Sequence, residues 1–258
     1  MKNYDQIKAL LENRWQHYHH IDFIAEDPIA IPHQFSQQQD IEIAAFFAAI
    51  LAWGKRSIIL NNANKLMNLM GNSPYDFILN HQEKDLKPFL NFVHRTFNDT
   101  DLLYFISYLK HHYQTNISLE AAFIPKQGYE NIYTSLTYFH QNFFSLDFAP
   151  ERTKKHIASP LKNSACKRLN MFLRWMVRKN SEVDFGIWNA IPVKDLICPI
   201  DVHVGNVARS LGLLERKQND WNAAMELTEN LRTFDQNDPV KYDYALFSMG
   251  VNEKNKNN

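Results

Sequence analysis

The chain has 258 residues, 45% of them apolar and 22% charged, with 28 Lys and Arg balanced by 28 Asp and Glu. That length supports one large domain or two small ones, and that composition is ordinary for a soluble globular protein. Zero net charge excludes a chain coated in one sign, although it is silent on local patches.

Other counts narrow the function class. The 7 glycines form neither G-x-G-x-x-G nor G-x-x-x-x-G-K, so a glycine-rich phosphate loop is not expected. Two cysteines, Cys166 and Cys198, exclude a disulfide framework and a four-cysteine metal or iron–sulfur site. No apolar run approaches the roughly 20 residues of a membrane span. The N-terminal residues lack a signal-peptide apolar core. A monomeric cytoplasmic protein with no membrane contact is the default expectation.

Helical spacing dominates from the start. Residues 4–20 place Ile7, Leu10, Leu11 and Trp15 on one face. Asp40 to Trp53 is apolar almost all round, as in a helix at a domain centre. A helix over about 56–70 is stopped by Gly71-Asn72-Ser73-Pro74. Asp101 to Tyr113 carries Leu102, Phe105, Ile106 and Leu109 at helical spacing, and 129–145 repeats the style with Ile132, Leu136, Phe139 and Phe143. Residues 146–164, with Pro150 and Pro160, read as a connector. A helix over about 165–179 follows, then an irregular stretch over 184–198. Helices at Asp201–Leu211, about 219–232 and about 239–249 complete the pattern. Strand alternation is absent, so the expected class is all-α. Residues 1–251 form a single two-lobed domain, with about 40–145 as one lobe and about 1–39 plus 146–251 as the other. Residues 252–258 form a polar, disordered tail.

Residues 152–179 contain Arg152, Lys154, Lys155, Lys162, Lys167, Arg168, Arg174, Arg178 and Lys179, and no acid. A solvated helix face usually mixes signs for i,i+4 pairing, so this local density points to phosphate. At 100° per residue, Leu169, Phe172, Leu173 and Met176 form a core stripe. Arg174 and Arg178 each fall about 20° from Lys167, on the opposite side. Farther on, Pro199-Ile200-Asp201 reads as an extended approach ending in an N-cap. A capping carboxylate is fixed in direction, so it also serves to stabilise positive charge developing in a cleft. An amine and a carboxylate, each at a helix start, suit amine-nucleophile chemistry on a sugar carbon.

At these residues the chain resembles the helix-hairpin-helix DNA glycosylase superfamily, which includes endonuclease III. The segment Pro199-Ile200-Asp201-Val202-His203-Val204-Gly205-Asn206-Val207-Ala208-Arg209-Ser210-Leu211-Gly212 is similar to the superfamily's P-V-D-x-H-V-x-R-V-x-x-R-L-G. The resemblance implies a two-lobed, glycosylase-like helical fold, Asp201 as catalytic aspartate and Lys167 as nucleophile. The family hairpin L-P-G-x-G-x-K has no glycine here. Its counterpart is Ser159-Pro160-Leu161-Lys162-Asn163-Ser164-Ala165-Cys166-Lys167, a degenerate hairpin in which Asn163 is the residue able to turn left-handed. The 34-residue spacing, 201 − 167, is closer to archaeal 8-oxoguanine glycosylases. The whole chain is also similar to a bacterial family of conserved proteins with no established reaction. The landmarks are Leu51-Ala52-Trp53-Gly54-Lys55-Arg56, Met70-Gly71-Asn72-Ser73-Pro74, Ala165-Cys166-Lys167-Arg168-Leu169-Asn170 and Asp238-Pro239-Val240-Lys241-Tyr242-Asp243.

The expected function is therefore base-excision repair of damaged duplex DNA by an N-glycosylase with AP-lyase activity, acting on an oxidised base such as 8-oxoguanine. The alternative is a non-catalytic nucleic-acid-binding protein on the same fold. Lys167 and Asp201 carry the chemistry. Lys162, Arg168, Arg174, Arg178, Lys55 and Arg56 hold phosphates, and His203, Trp53 and Tyr242 line the pocket. No cofactor is expected. The histidines His17, His19, His20, His111 and His112 form no H-E-x-x-H, so metal catalysis is not favoured.

Overall fold

In the computed structural model, which describes residues 4–256, the chain is all-α apart from one two-stranded ribbon. Contacts divide it into two compact units. One runs from Ala25 to Ala158; the other joins the residues up to Ile24 to those from Ser159 onward. The boundaries of this division fall at 24/25 and 158/159. Among the described residues no helix is long and apolar enough to cross a membrane.

The contiguous unit is built on α3 (Gln38–Leu51), buried from Ile41 to Leu51 as its all-round apolar sequence requires. Its one buried acid, Glu42, is satisfied by the Tyr113 hydroxyl at 2.7 Å, the Ser118 hydroxyl at 2.6 Å and the Leu119 amide at 2.8 Å. Around α3 lie α4 (Arg56–Leu69), α5 (Pro74–Asn80), α6 (Asp99–Tyr113) and α7 (Ile132–Phe143). The rings of Phe46, Phe105, Phe139 and Phe143 meet at centroid distances of 4.7 to 5.9 Å. Two features escaped the sequence reading. Pro74 opens α5 as its first residue, so the segment that stops α4 also starts the next helix. Val93–His94 (β1) and Phe97–Asn98 (β2) pair in a short antiparallel ribbon.

The discontinuous unit contains α1 (Tyr4–Tyr18), α2 (Ile21–Ile24), α8 (Lys167–Val177), α9 (Val202–Ser210), α10 (Trp221–Arg232) and α11 (Asp243–Lys256). α11 packs against both α1 and α9. Gly250 makes the second contact close, because a Cβ there would stand 2.9 Å from that of His203. The expected tail from 252 is helical to Lys256, as the continuation of α11; Asn257 and Asn258 lie outside the described residues. α8 is buried from Leu169 to Val177, including the side where Arg174 lies. Its apolar stripe packs with partners such as Trp188, whose ring meets Phe172 edge-on at 5.3 Å.

Candidate functional site

Asp201 caps α9, as its sequence setting requires. After a 3-10 turn over Val193–Asp195 the approach through Pro199 is free of helix, and Asp201 itself is extended, with φ −124° and ψ −168°. Its Oδ1 accepts from the amides of His203 at 2.9 Å and Val204 at 3.0 Å. These two bonds aim the second oxygen away from the helix. Behind the cap, helical spacing predicts a buried stripe of Val204, Val207, Ala208 and Leu211; the first three are buried and Leu211 is half-buried.

Lys167 is the first residue of α8. The segment before it forms a 3-10 turn over Pro160–Lys162, opened by Ser159 and closed by Asn163 in the left-handed region (φ 54°, ψ 26°). Cys166 is left-handed too, at φ 49°. Asn163 thus takes the left-handed conformation that glycine adopts most readily. The outcome is that Lys167 Nζ stands 3.8 Å from Asp201 Oδ2, with the side chains 26% and 29% exposed. Two residues 34 positions apart meet at two helix starts, both accessible to a reactant and both partly screened from water.

Beneath this pair the structure corrects the sequence reading of the basic stripe. Arg174 and Arg178 are not phosphate contacts, being 5% and 2% exposed. Arg174 pairs with Asp184 and, through Nη1, with Asp243. Arg178 pairs with Asp184 at 2.9 Å and Asp238 at 2.8 Å. The Tyr244 hydroxyl donates to Asp184 at 2.7 Å, and the Arg174 guanidinium lies 4.2 Å from the Tyr244 ring centroid. Arg174 and Arg178 do lie on the Lys167 side of α8, but past the half-exposed Lys167 that side is internal and lined by aspartates from other segments. The two arginines thus take their counter-charges from Asp184, just past the run, and from Asp238 and Asp243, 60 and 69 positions on. Arg152, similarly, pairs with Asp101 at 2.6 Å in the other unit.

Burial gives this network unusual proton affinities. It pushes the Asp243 carboxyl up to about 6, against the opposing charges of Arg174 and Lys167. Burial also raises Asp238, with Arg178 opposing. His19, whose Nε2 is 2.8 Å from the Ser181 hydroxyl and 3.1 Å from Arg178 Nη1, is lowered to about 4, by burial first and then by Arg178. Burial raises both thiols, that of Cys166 to about 12 and that of Cys198 well above its usual range, so neither suits a thiolate role.

The remaining expected residues are dispersed. Lys162 is exposed on the turn before α8. Arg168 is half-buried, and desolvation lowers its guanidinium to about 10. His203 is half-buried beside Gly250. Tyr242 is not a pocket residue. It is fully buried on the 3-10 turn Pro239–Tyr242, and its hydroxyl donates to Glu12 of α1 at 2.6 Å. Lys55, Arg56 and Trp53 belong to the other unit. There Lys55 is exposed, Arg56 lies 3.8 Å from Glu26, and Arg95 lies 4.8 Å over the Trp53 ring. Sequence reasoning missed Asp184 and Asp243 as neighbours of the site. The signal for Asp243 was present, as the last residue of the landmark Asp238–Asp243. Among the described residues no group of three or more His, Cys, Asp or Glu is placed to hold a metal ion.

Residues 27–252 match the family described as "Protein of unknown function (DUF2400)", and the chain belongs to that family. No curated protein and no solved structure matches it.

Proposed function

We propose that this member of the family is a base-excision enzyme, an N-glycosylase with AP-lyase chemistry, in which Lys167 is the nucleophile and Asp201 its acid–base partner. The observation that carries the reading is the Lys167–Asp201 pair, 3.8 Å apart and partly exposed. The likeness of Pro199–Gly212 to the glycosylase segment supports the same assignment, and the archaeal likeness favours an oxidised purine such as 8-oxoguanine.

The target nucleotide leaves the base stack so that its sugar carbon reaches the amine. Lys167 passes a proton to the Asp201 carboxylate, and the free amine attacks C1′ of the deoxyribose. The new C–N bond forms as the glycosidic C–N bond breaks. The base departs with that electron pair and takes the proton from Asp201. The restored carboxylate carries one proton from the new C1′ ammonium to O4′ as the C1′–O4′ bond breaks, leaving a protonated, ring-opened Schiff base; it then removes a C2′ proton, and the 3′ phosphate leaves with the electron pair of the C3′–O bond. The Oδ1 cap bonds hold Asp201 in one orientation throughout, so its alignment is set before the substrate arrives. Lys162 supplies phosphate contact beside the site, with Lys55 and Arg56 as further phosphate contacts. Arg174 and Arg178 act inside the protein, holding the helix that carries the amine.

A binding role without chemistry on the same helical fold is favoured by one observation, the lack of glycine in the Ser159–Cys166 turn. Borohydride trapping on duplexes carrying 8-oxoguanine or an abasic site separates the two. Wild type is expected to form a covalent adduct that Lys167→Ala abolishes and Asp201→Asn strongly reduces. DNA bound without adduct or base release would refute the enzyme and leave the binder. Lys162→Ala is expected to weaken binding evenly across sequences and lower the salt slope by about one.

A further inference from the structure

We propose that Asn219 is a positioning residue for Asp201, and that the Arg216–Trp221 segment sets the spacing between Asp201 and Lys167. This rests on the reading of that pair as the reacting one.

The segment touches both halves of the site. On the Asp201 side, Asn219 Nδ2 donates to the Asp201 carbonyl at 3.0 Å. That carbonyl also accepts the first helical bond of α9, from the Gly205 amide at 2.8 Å. With both lone pairs engaged, the peptide plane after Asp201 is fixed, and with it the direction in which the carboxylate leaves the backbone. On the Lys167 side, the Trp221 amide donates to the Asn163 carbonyl at 3.2 Å, Asn163 Nδ2 donates to Asp220 Oδ2 at 3.1 Å, and Ser164 and Asp220 form an antiparallel bridge. Ser164 is three residues before Lys167. The path from Lys167 through Asn163, Asp220 and Asn219 to Asp201 closes on itself across the 3.8 Å pair.

The segment is rigid by construction. Arg216 grips Asp220 with two bonds, 2.6 Å to Oδ1 and 2.5 Å to Oδ2, and Asp220 caps α10 through the Ala223 amide. Arg209 of α9 reaches back with Nε to the Arg216 carbonyl at 2.8 Å and Nη2 to Asn219 Oδ1 at 2.6 Å. Asn219 therefore has both ends of its amide occupied. The space it fills exists because position 205 is glycine. A Cβ there would stand 2.6 Å from Asn219 Oδ1 and 2.9 Å from Arg209 Nη1. A glycine inside a helix is unfavourable by itself, and here it admits the amide that clamps the cap.

Asn219→Ala, Asn219→Asp and Gly205→Ala in the full chain test this. Asn219→Asp keeps the shape and the Arg209 contact but has no hydrogen to donate to the Asp201 carbonyl. The first readout needs no DNA. Amide hydrogen exchange at His203 and Val204, both held by Asp201 Oδ1, is expected to accelerate about tenfold in all three variants, with exchange along α6 unchanged. The second is the single-turnover trapping rate on an abasic duplex, expected to fall about tenfold to a hundredfold at unchanged DNA affinity. Wild-type exchange in the variants, or slowed DNA binding in place of slowed trapping, overturns the proposal. Trapping at the wild-type rate in Asn219→Asp overturns it alone. Absence of any adduct with wild type removes instead the reading on which it rests.

Discussion

Replacing Arg174 by Met tests the internal reading of the α8 charge stripe. The side chain is 5% exposed and serves both Asp184 and Asp243. Methionine matches its bulk and removes its charge, so two buried carboxylates lose a cation at once. Breaking a buried pair from one side costs about 3–5 kcal/mol, because the abandoned charge stays in a poorly solvating place. The loss depends on pH. Asp243 sits at about 6 in the folded protein against 3.8 as an ordinary carboxyl. The folded state thus binds this proton more tightly than the unfolded chain, and the carboxyl's contribution to stability declines as pH rises from about 4 through 6. Removing Arg174, which opposes that rise, moves the folded value farther up and extends the decline to higher pH. Urea unfolding at pH 5, 7 and 8 should therefore show a deficit that grows with pH. Adding Asp243→Asn should recover part of it at pH 8. Unchanged stability at every pH, with weaker DNA binding and a salt slope smaller by about one, would refute the reasoning and return Arg174 to the surface.

Asp201→Ala removes the α9 cap and is expected to cost about 1 kcal/mol, a fall in Tm of roughly 2–4 °C by calorimetry, whereas Asp201→Asn keeps most of the cap and should lose far less stability while still losing trapping. Tyr242→Phe deletes the bond to Glu12 and should destabilise by about 1–2 kcal/mol in urea with DNA affinity unchanged; an affinity loss without destabilisation would place the ring in a binding pocket after all. His19 is lowered to about 4 from 6.5, so its contribution is present above 6.5 and lost as pH falls towards 4. His19→Gln should accordingly flatten the acid limb of the stability profile relative to wild type, and an unchanged limb would show that His19 titrates normally.

Much of the helical framework was legible because the apolar spacing of α3, α6, α7 and α9 is regular and each face has one plain destination. The Asp201 cap was legible from local chemistry alone, and the left-handed Asn163 from the place a hairpin glycine would take. The burial of Arg174 and Arg178 was not. Periodicity sorts residues around a helix axis, but it cannot report whether a second layer covers the polar side. Here that layer comes partly from residues 10 positions away, at Asp184, and partly from Asp243, 69 positions away. The density of Lys and Arg over 152–179 was real, yet its explanation lay in tertiary partners. Asn219 was invisible for the same reason. Its role depends on the missing side chain of Gly205, which no spacing rule connects to it.

The discontinuity of the site-bearing unit bears on the order of assembly during synthesis. Residues 25–158 are contiguous and can begin to fold as they leave the ribosome. α1 emerges before them, but its partners, α11 and the turn that carries Tyr242, are made last. It must wait, unpaired, through more than two hundred residues of elongation. The lysine, its aspartate and the bracket that spaces them all precede α11, which adds Asp243, the second carboxylate on Arg174. A chain halted before α11 would carry every residue of the reacting pair without the Asp243 carboxylate that Arg174 binds.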